Sequence, residues 1–256
     1  MNNGDSTYPP AGDIKEANLS IVLVHGAFVD GSGWQTVHAI LSAKGYEVLV
    51  VQNPTITLEG DVAATERVIR LARHPVILVG HSYGGAVVTE AGDHPKVAAL
   101  VYLAAFVPDA GESVASLNEH PAEPGEARAP VLPPRDGFLT VDAERFPQAF
   151  AADVGLEKTR FMAAAQVPWG LGAVTATLTR AAWRNKPTRY LLAKADLMIP
   201  PSAQRRMATR AGAHIVEIDS SHAVMLSRPY EVAAFIEAAV AEATVSPADR
   251  SERASP

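Results

Sequence analysis

The stretch Val76–Ile–Leu–Val–Gly80–His81–Ser82–Tyr83–Gly84–Gly85 constrains the fold of this chain more than any other. A run of apolar residues suited to a buried strand passes directly into G-x-S-x-G, and Ala86, Val87 and Val88 continue as a helix. The glycines permit a turn sharp enough to leave Ser82 strained and exposed, with its hydroxyl at the helix N-terminus and backbone N–H groups nearby for an anion. G-x-S-x-G alone recurs by chance in Gly- and Ser-rich loops. A strand before it and a helix after it are the context of a nucleophile's turn.

The rest of the chain supplies a sheet for that strand. Six short apolar runs recur at Leu19–Val24, Tyr46–Val51, Val76–Gly80, Val97–Ala104, Thr188–Ala193 and Ala213–Ile218. They are continuous rather than alternating, as strands buried on both faces of a parallel sheet are. Helical patterns separate most of them. Trp34, Val37, Ile40 and Leu41 share one face before Gly45; Val62, Val68, Ile69 and Leu71 share another before Pro75; Val232, Phe235, Ile236 and Val240 follow Pro229. Strand–helix alternation predicts right-handed βαβ units in a doubly wound α/β fold of about six mostly parallel strands. The 256 residues, 48% hydrophobic and 20% charged, suffice for one large domain with a sizeable core.

One segment breaks the rhythm. Between Val107 and Lys186 lie 80 residues with eight prolines, four of the seven Phe (Phe138, Phe146, Phe150, Phe161) and two of the three Trp (Trp169, Trp183). A connection this long reads as a mainly helical cap or lid over the strand edge that bears Ser82. The bland alternative is a helical subdomain whose aromatics pack its own small core. The expected organisation is therefore a polar tail at 1–18, a core at 19–106 and 187–242, a cap at 107–186 and a second tail at 243–256. Phe28, Phe161 and Trp169 are the candidate substrate-lining aromatics.

Several function classes are excluded early. Twenty-two Lys and Arg against 28 Asp and Glu leave a net charge of −6, which argues against a nucleic-acid or anionic-membrane partner. With no Cys there is no thiolate nucleophile, disulfide framework or Cys-ligated zinc. The longest apolar run, Val97 to Val107, is 11 residues, well short of the roughly 20 of a spanning helix. The first 18 residues carry neither a basic nor an apolar signal region, so a cytoplasmic location is expected. No Walker loop, zinc-binding His pair or dinucleotide fingerprint appears, and no metal or organic cofactor is expected. The expected partner is a small molecule, and the expected assembly a monomer or homodimer.

A serine hydroxyl needs a general base, itself held by a carboxylate. Loops at strand C-termini gather on one edge of such a sheet. His222, in Asp219–Ser–Ser–His222 after the last strand, can meet Ser82 there. His25 and His81 also end strands, but adjoin glycine turns and more naturally shape them; the remaining five His read as surface residues. Two carboxylates compete for the third place, Asp196 after the fifth strand and Asp109 after the fourth. Asp196 is preferred because its loop neighbours the His222 strand, which gives the chain order Ser, Asp, His. Gly26 lets the backbone approach closely, so that the amides of Ala27 and Tyr83 can form an oxyanion hole.

Five segments in order carry a resemblance: His25–Gly–Ala with Gly31 and Trp34, Gly80–His–Ser–Tyr–Gly–Gly85, Leu103–Ala–Ala–Phe–Val–Pro–Asp109, Asp196–Leu–Met–Ile–Pro200 and Ser221–His–Ala–Val–Met–Leu–Ser–Arg–Pro229. Over Ser20 to Ala241 the chain resembles the α/β-hydrolase fold family. Within it, the chain is similar to the small branch of bacterial carboxylesterases, plant methyl-ester hydrolases of the salicylate-binding type and hydroxynitrile lyases. The resemblance implies nucleophile Ser82, acid Asp196, base His222, oxyanion amides Ala27 and Tyr83, and hydrolysis of a small or medium, largely apolar ester. Lactone, thioester, amide and C–C substrates stay open, as does a non-catalytic receptor. Two departures argue against the lyase: Ala223 stands where the lyases carry Lys, and Gly26 where they tend to carry Thr. Larger members of the fold have two further strands before the His-Gly strand; 18 residues precede Leu19 here, and six core strands are expected.

Overall fold

A computed structural model describes residues 18–120 and 123–244. Six parallel strands form one sheet: β1 (Ser20–Val24), β2 (Glu47–Val51), β3 (Val76–His81), β4 (Val97–Leu103), then β7 (Thr188–Ala193) and β8 (His214–Ile218), in the spatial order β2-β1-β3-β4-β7-β8. Between β4 and β7 the chain adds a two-stranded antiparallel ribbon, β5 (Phe138–Leu139) with β6 (Trp169–Gly170). The helices are α1 (Gln35–Ala43), α2 (Leu58–Leu71), α3 (Gly84–Ala91), α4 (Val114–Asn118), α5 (Phe146–Phe150), α6 (Leu156–Ala164), α7 (Leu171–Thr175), α8 (Pro201–Arg210), α9 (Val224–Ser227) and α10 (Pro229–Thr244).

The continuous apolar runs have a direct physical reason. Successive side chains of a strand point to opposite faces, and here both faces are covered. Ile21, Leu23, Ile77, Val79, Val101 and Leu103 face α1 and α10. Val22, Val24, Leu78, Leu100 and Tyr102 face the other way, into a cluster with α2, α3 and part of the insertion. A fully buried Val, Leu or Ile contributes roughly 1.5–3 kcal/mol, so two filled faces carry most of the fold's stability. The edge strands depart from the sequence expectation: β8 is largely exposed and β2 half-buried, because each has a sheet neighbour on one side only.

The helix faces follow their periodicity with one exception. Val62 and Ile69 of α2 are buried, whereas Leu71 is 75% exposed at the helix end. Thr57 caps α2 by accepting the Gly60 N–H at 3.1 Å, with Glu59 and Asp61 in the first turn.

The described residues of 107–186 hold four short α-helices, a 3-10 turn at Ala182–Arg184 and the β5–β6 ribbon. Their buried side chains, Phe146, Phe150 and Trp169 among them, belong to the same apolar cluster as α2 and α3. The aromatics thus pack onto the sheet domain rather than around a separate core. Of the expected tails, only Asn18, Ala243 and Thr244 fall among the described residues, and the last two continue α10. Among the described residues no helix is long and apolar enough to cross a membrane.

Candidate active site

At the end of β3 the backbone reverses into α3 through Ser82, whose φ is +55°. Such left-handed backbone is unfavourable for a residue with a Cβ. Three hydrogen bonds impose it: the Ser82 N–H donates to Leu103 O at 3.3 Å, and Ser82 O accepts from the N–H groups of Gly85 (3.0 Å) and Phe106 (3.1 Å). The surrounding glycines serve a different purpose from the one their sequence suggests. A Cβ on Gly85 would stand 2.1 Å from Phe106 O, one on Gly84 2.7 Å from Val24 O and His25 O, and one on Gly26 2.6 Å from the Ser82 Cβ. They are glycines so that neighbouring backbone can close in, and the serine itself takes the strained conformation.

The loop after β7 brings Asp196 to His222. The Asp196 Oδ2 meets the His222 Nδ1 at 2.7 Å, and both side chains are fully buried. Asp196 also accepts from the N–H groups of Met198 (2.7 Å) and Ile199 (2.9 Å) at Oδ1 and from Gln204 Nε2 (2.8 Å) at Oδ2. A carboxylate so saturated with donors stays an acceptor and fixes the imidazole with its Nδ1 proton. The His222 Nε2 is buried and has no hydrogen-bond partner. The loop around it is tied to the insertion on both sides: Asp153 accepts the Ser221 N–H at 3.0 Å, and Phe150 O accepts the Ala223 N–H at 2.9 Å. The Phe150 ring meets the imidazole edge-on at 4.8 Å. Asp109, the competing carboxylate, is elsewhere engaged. It pairs with Arg184, whose Nε donates to its Oδ1 at 2.9 Å, and makes no contact with His222.

Among the described residues neither the Ala27 nor the Tyr83 amide donates to a protein acceptor. The Tyr83 side chain is anchored in a way the sequence did not disclose. Its hydroxyl donates to Asp61 Oδ2 at 2.6 Å, and the Thr55 N–H donates to Asp61 Oδ1 at 2.7 Å. Asp61 is fully buried, and burial pushes its carboxyl above the usual range despite both bonds. The only hint in the sequence was an acid on the apolar side of α2.

His25 and His81 are structural, as expected. The Asn53 N–H donates to His25 Nε2 at 2.9 Å, so Nδ1 carries the proton and donates to Gly26 O at 2.8 Å. The His81 Nε2 donates to His222 O at 2.9 Å, and the two rings lie 4.6 Å apart. Burial lowers the pKa of both, His81 well below the ordinary histidine value.

Ser82 opens into a cavity of about 240 Å³ whose walls include Ala27, Phe28, Phe106 and Trp169. Phe28 is itself in left-handed backbone (φ +66°), and its ring meets Trp169 edge-on at 5.6 Å; Trp169 in turn lies 5.1 Å from Tyr83. Phe161 is a correction to the sequence expectation. It is 72% exposed on the solvent side of α6 and borders a separate surface hollow. Among the described residues no cluster of three or more His, Asp or Glu side chains is arranged to hold a metal ion.

The model of the "Alpha/beta hydrolase family" matches residues 21–235. Two curated relatives are each 30% identical: an "Alpha/beta hydrolase nvfD" of Aspergillus novofumigatus over 88% of this chain and 97% of that protein, and a carbendazim hydrolyzing esterase of Nocardioides sp. over 84% and 96%. Among solved structures, a pyrethroid hydrolase from Sphingobium faniae JZ-2 superposes with a TM-score of 0.75 at 26% identity, over 90% of this chain and 99% of that one.

Proposed function

Because the chain belongs to the α/β-hydrolase family, we propose that it cleaves small or medium, largely apolar carboxylic esters through an acyl-enzyme, with Ser82, His222 and Asp196 as its triad. The observation that carries the reading is the imidazole of His222. One nitrogen is committed to Asp196, and the other is buried without a partner; the ring of His81, which precedes the strained Ser82 in the chain, lies 4.6 Å from the imidazole.

In this reading His222 Nε2 takes the Ser82 proton as Oγ attacks the ester carbonyl. The tetrahedral oxyanion is met by the Ala27 and Tyr83 amides, which have no other acceptor to satisfy. Asp196 stabilises the imidazolium, and His222 returns the proton to the departing alcohol. A water deprotonated by the same nitrogen then attacks the acyl-enzyme and releases the acid. The relatives named for carbendazim and pyrethroid hydrolysis support an ester or ester-like bond as the target. The apolar walls around Ser82 support a largely apolar group beside the carbonyl.

A fluorophosphonate probe and a 4-nitrophenyl acetate burst test this directly. The probe is expected to label Ser82 alone, and the burst amplitude to match the labelled fraction. Labelling at another residue, or turnover that survives Ser82→Ala, would overturn the assignment.

A further inference from the structure

Among the described residues the cavity beside Ser82 is lined by three basic side chains, His120, Arg128 and Arg206, and by no Asp or Glu. Composition does not account for that bias, since the whole chain carries −6. The arginines near Arg206 on α8 have carboxylate partners: Arg205 pairs with Glu217 and Arg210 with Glu112. Among the described residues Arg128 and Arg206, the two that line the cavity, form no ion pair within 4 Å and no hydrogen bond. Glu126 feels the charge of Arg206, yet its oxygens accept from Ser202, at 2.9 Å from the N–H and 2.5 Å from the hydroxyl. Two guanidiniums without acceptors therefore border a pocket whose remaining walls, Leu117, Val131, Met198 and Ile199 among them, are apolar.

We infer that the favoured esters carry a carboxylate remote from the scissile carbonyl, and that Arg128 and Arg206 are the specificity-determining pair that receives it. This rests on the hydrolase reading of Ser82. A guanidinium presents a planar fork of donors matched to a carboxylate, and it stays charged at every working pH. Both side chains are exposed. Each therefore acts at the screened strength of a surface charge, and the field at the mouth weakens with salt. A preference of about 3- to 10-fold is the scale to expect from two such contacts.

The test uses isosteric pairs. On the acyl side, the mono-4-nitrophenyl ester of hexanedioic acid is compared with its terminal primary amide; on the alcohol side, 4-acetoxybenzoate with 4-acetoxybenzamide. The wild type should prefer the anion in at least one pair by about 3- to 10-fold in kcat/KM, less at high salt. Arg128→Gln/Arg206→Gln should bring that ratio close to one. A preference for the amide in both pairs, or an anion preference that the double substitution leaves intact, would overturn the inference. Calorimetry on Ser82→Ala protein separates this from failure of the hydrolase reading, because 4-phenylbutanoate should bind more tightly than 4-phenylbutanamide whether or not any ester turns over. Equal binding of the two rejects the anion subsite alone. Binding of the anion with no ester turned over would reject the hydrolase reading alone.

Discussion

The hydroxyl of Tyr83, the residue after the proposed nucleophile, donates at 2.6 Å to Asp61, a fully buried carboxylate that no Lys or Arg among the described residues neutralises. Among the described residues only the Thr55 N–H shares the task of solvating it. Tyr83→Phe should destabilise the fold by about 1–3 kcal/mol, the cost of leaving a buried polar group short of a partner. The loss has a definite pH dependence. Burial raises the Asp61 pKa while the Tyr83 bond holds it down, so removing that bond raises it further. The variant therefore takes up a proton at higher pH than the wild type, and its deficit should shrink as pH falls towards the acidic range. Urea denaturation of both proteins at pH 7.5 and pH 5 checks the sign. A deficit larger at pH 5 than at pH 7.5 would overturn the sign.

The carboxylate of the proposed triad is distinguished by paired substitutions. Asp196→Asn keeps the volume but offers an amide where His222 Nδ1 needs an acceptor, which favours the wrong tautomer and leaves the imidazolium unsupported. The comparable change in a serine protease lowers kcat by about 10⁴-fold, and a loss of that order is expected. Asp109→Asn loosens only an exposed pair with Arg184, so kcat should barely move. Both are assayed on one ester, with circular dichroism to show that each is folded. Gln204→Leu, which removes a donor to Asp196 and an acceptor for the Ala193 N–H, should fall between them.

Acidification should weaken the fold through two buried imidazoles. Burial lowers the pKa of both His25 and His81, and the neighbouring His222 adds to the effect at His81. A group whose folded pKa lies below its unfolded value of about 6.5 contributes stability that is present above that pH and lost beneath it, because the unfolded chain binds the proton more readily. The melting temperature should therefore fall between pH 7.5 and pH 5.5. His81→Gln, which can keep the donor to His222 O, should flatten the slope. A variant with the wild-type slope would assign the loss to other groups.

The Asp196–His222 pairing was legible from the sequence because the sheet does the assembling. Once β3, β7 and β8 are parallel neighbours or near-neighbours, the loops carrying Ser82, Asp196 and His222 must open on one edge. What surrounds that pair and Ser82 was not legible, because it arrives from segments distant in sequence and with weaker patterns. Asp61 reaches Tyr83 across 22 residues and Asp153 reaches Ser221 across 68, and neither pairing leaves a periodic trace. Phe161 was misjudged for a related reason. Aromatic content located the insertion, but α6 is a weakly amphipathic helix, and the side of it that faces the protein holds Thr159 and Ala163.

The backbone at Ser82 supplies a last prediction, in which stability and activity separate. At φ +55° a side chain costs about 1 kcal/mol that glycine does not incur, because the Cβ crowds the following carbonyl. Ser82→Ala retains the Cβ and hence the strain; Ser82→Gly removes both. The glycine variant should therefore be more stable than the alanine variant by about 1 kcal/mol, against the usual expectation that glycine loosens a chain. Both should lose about 10³-fold or more in kcat, since no other hydroxyl is held at this turn. Guanidinium melts of the two variants, run beside an ester assay, read both halves. If Ser82→Gly were the less stable of the two, the turn would not be strained at this residue, and its conformation would owe nothing to the demands of presenting a nucleophile.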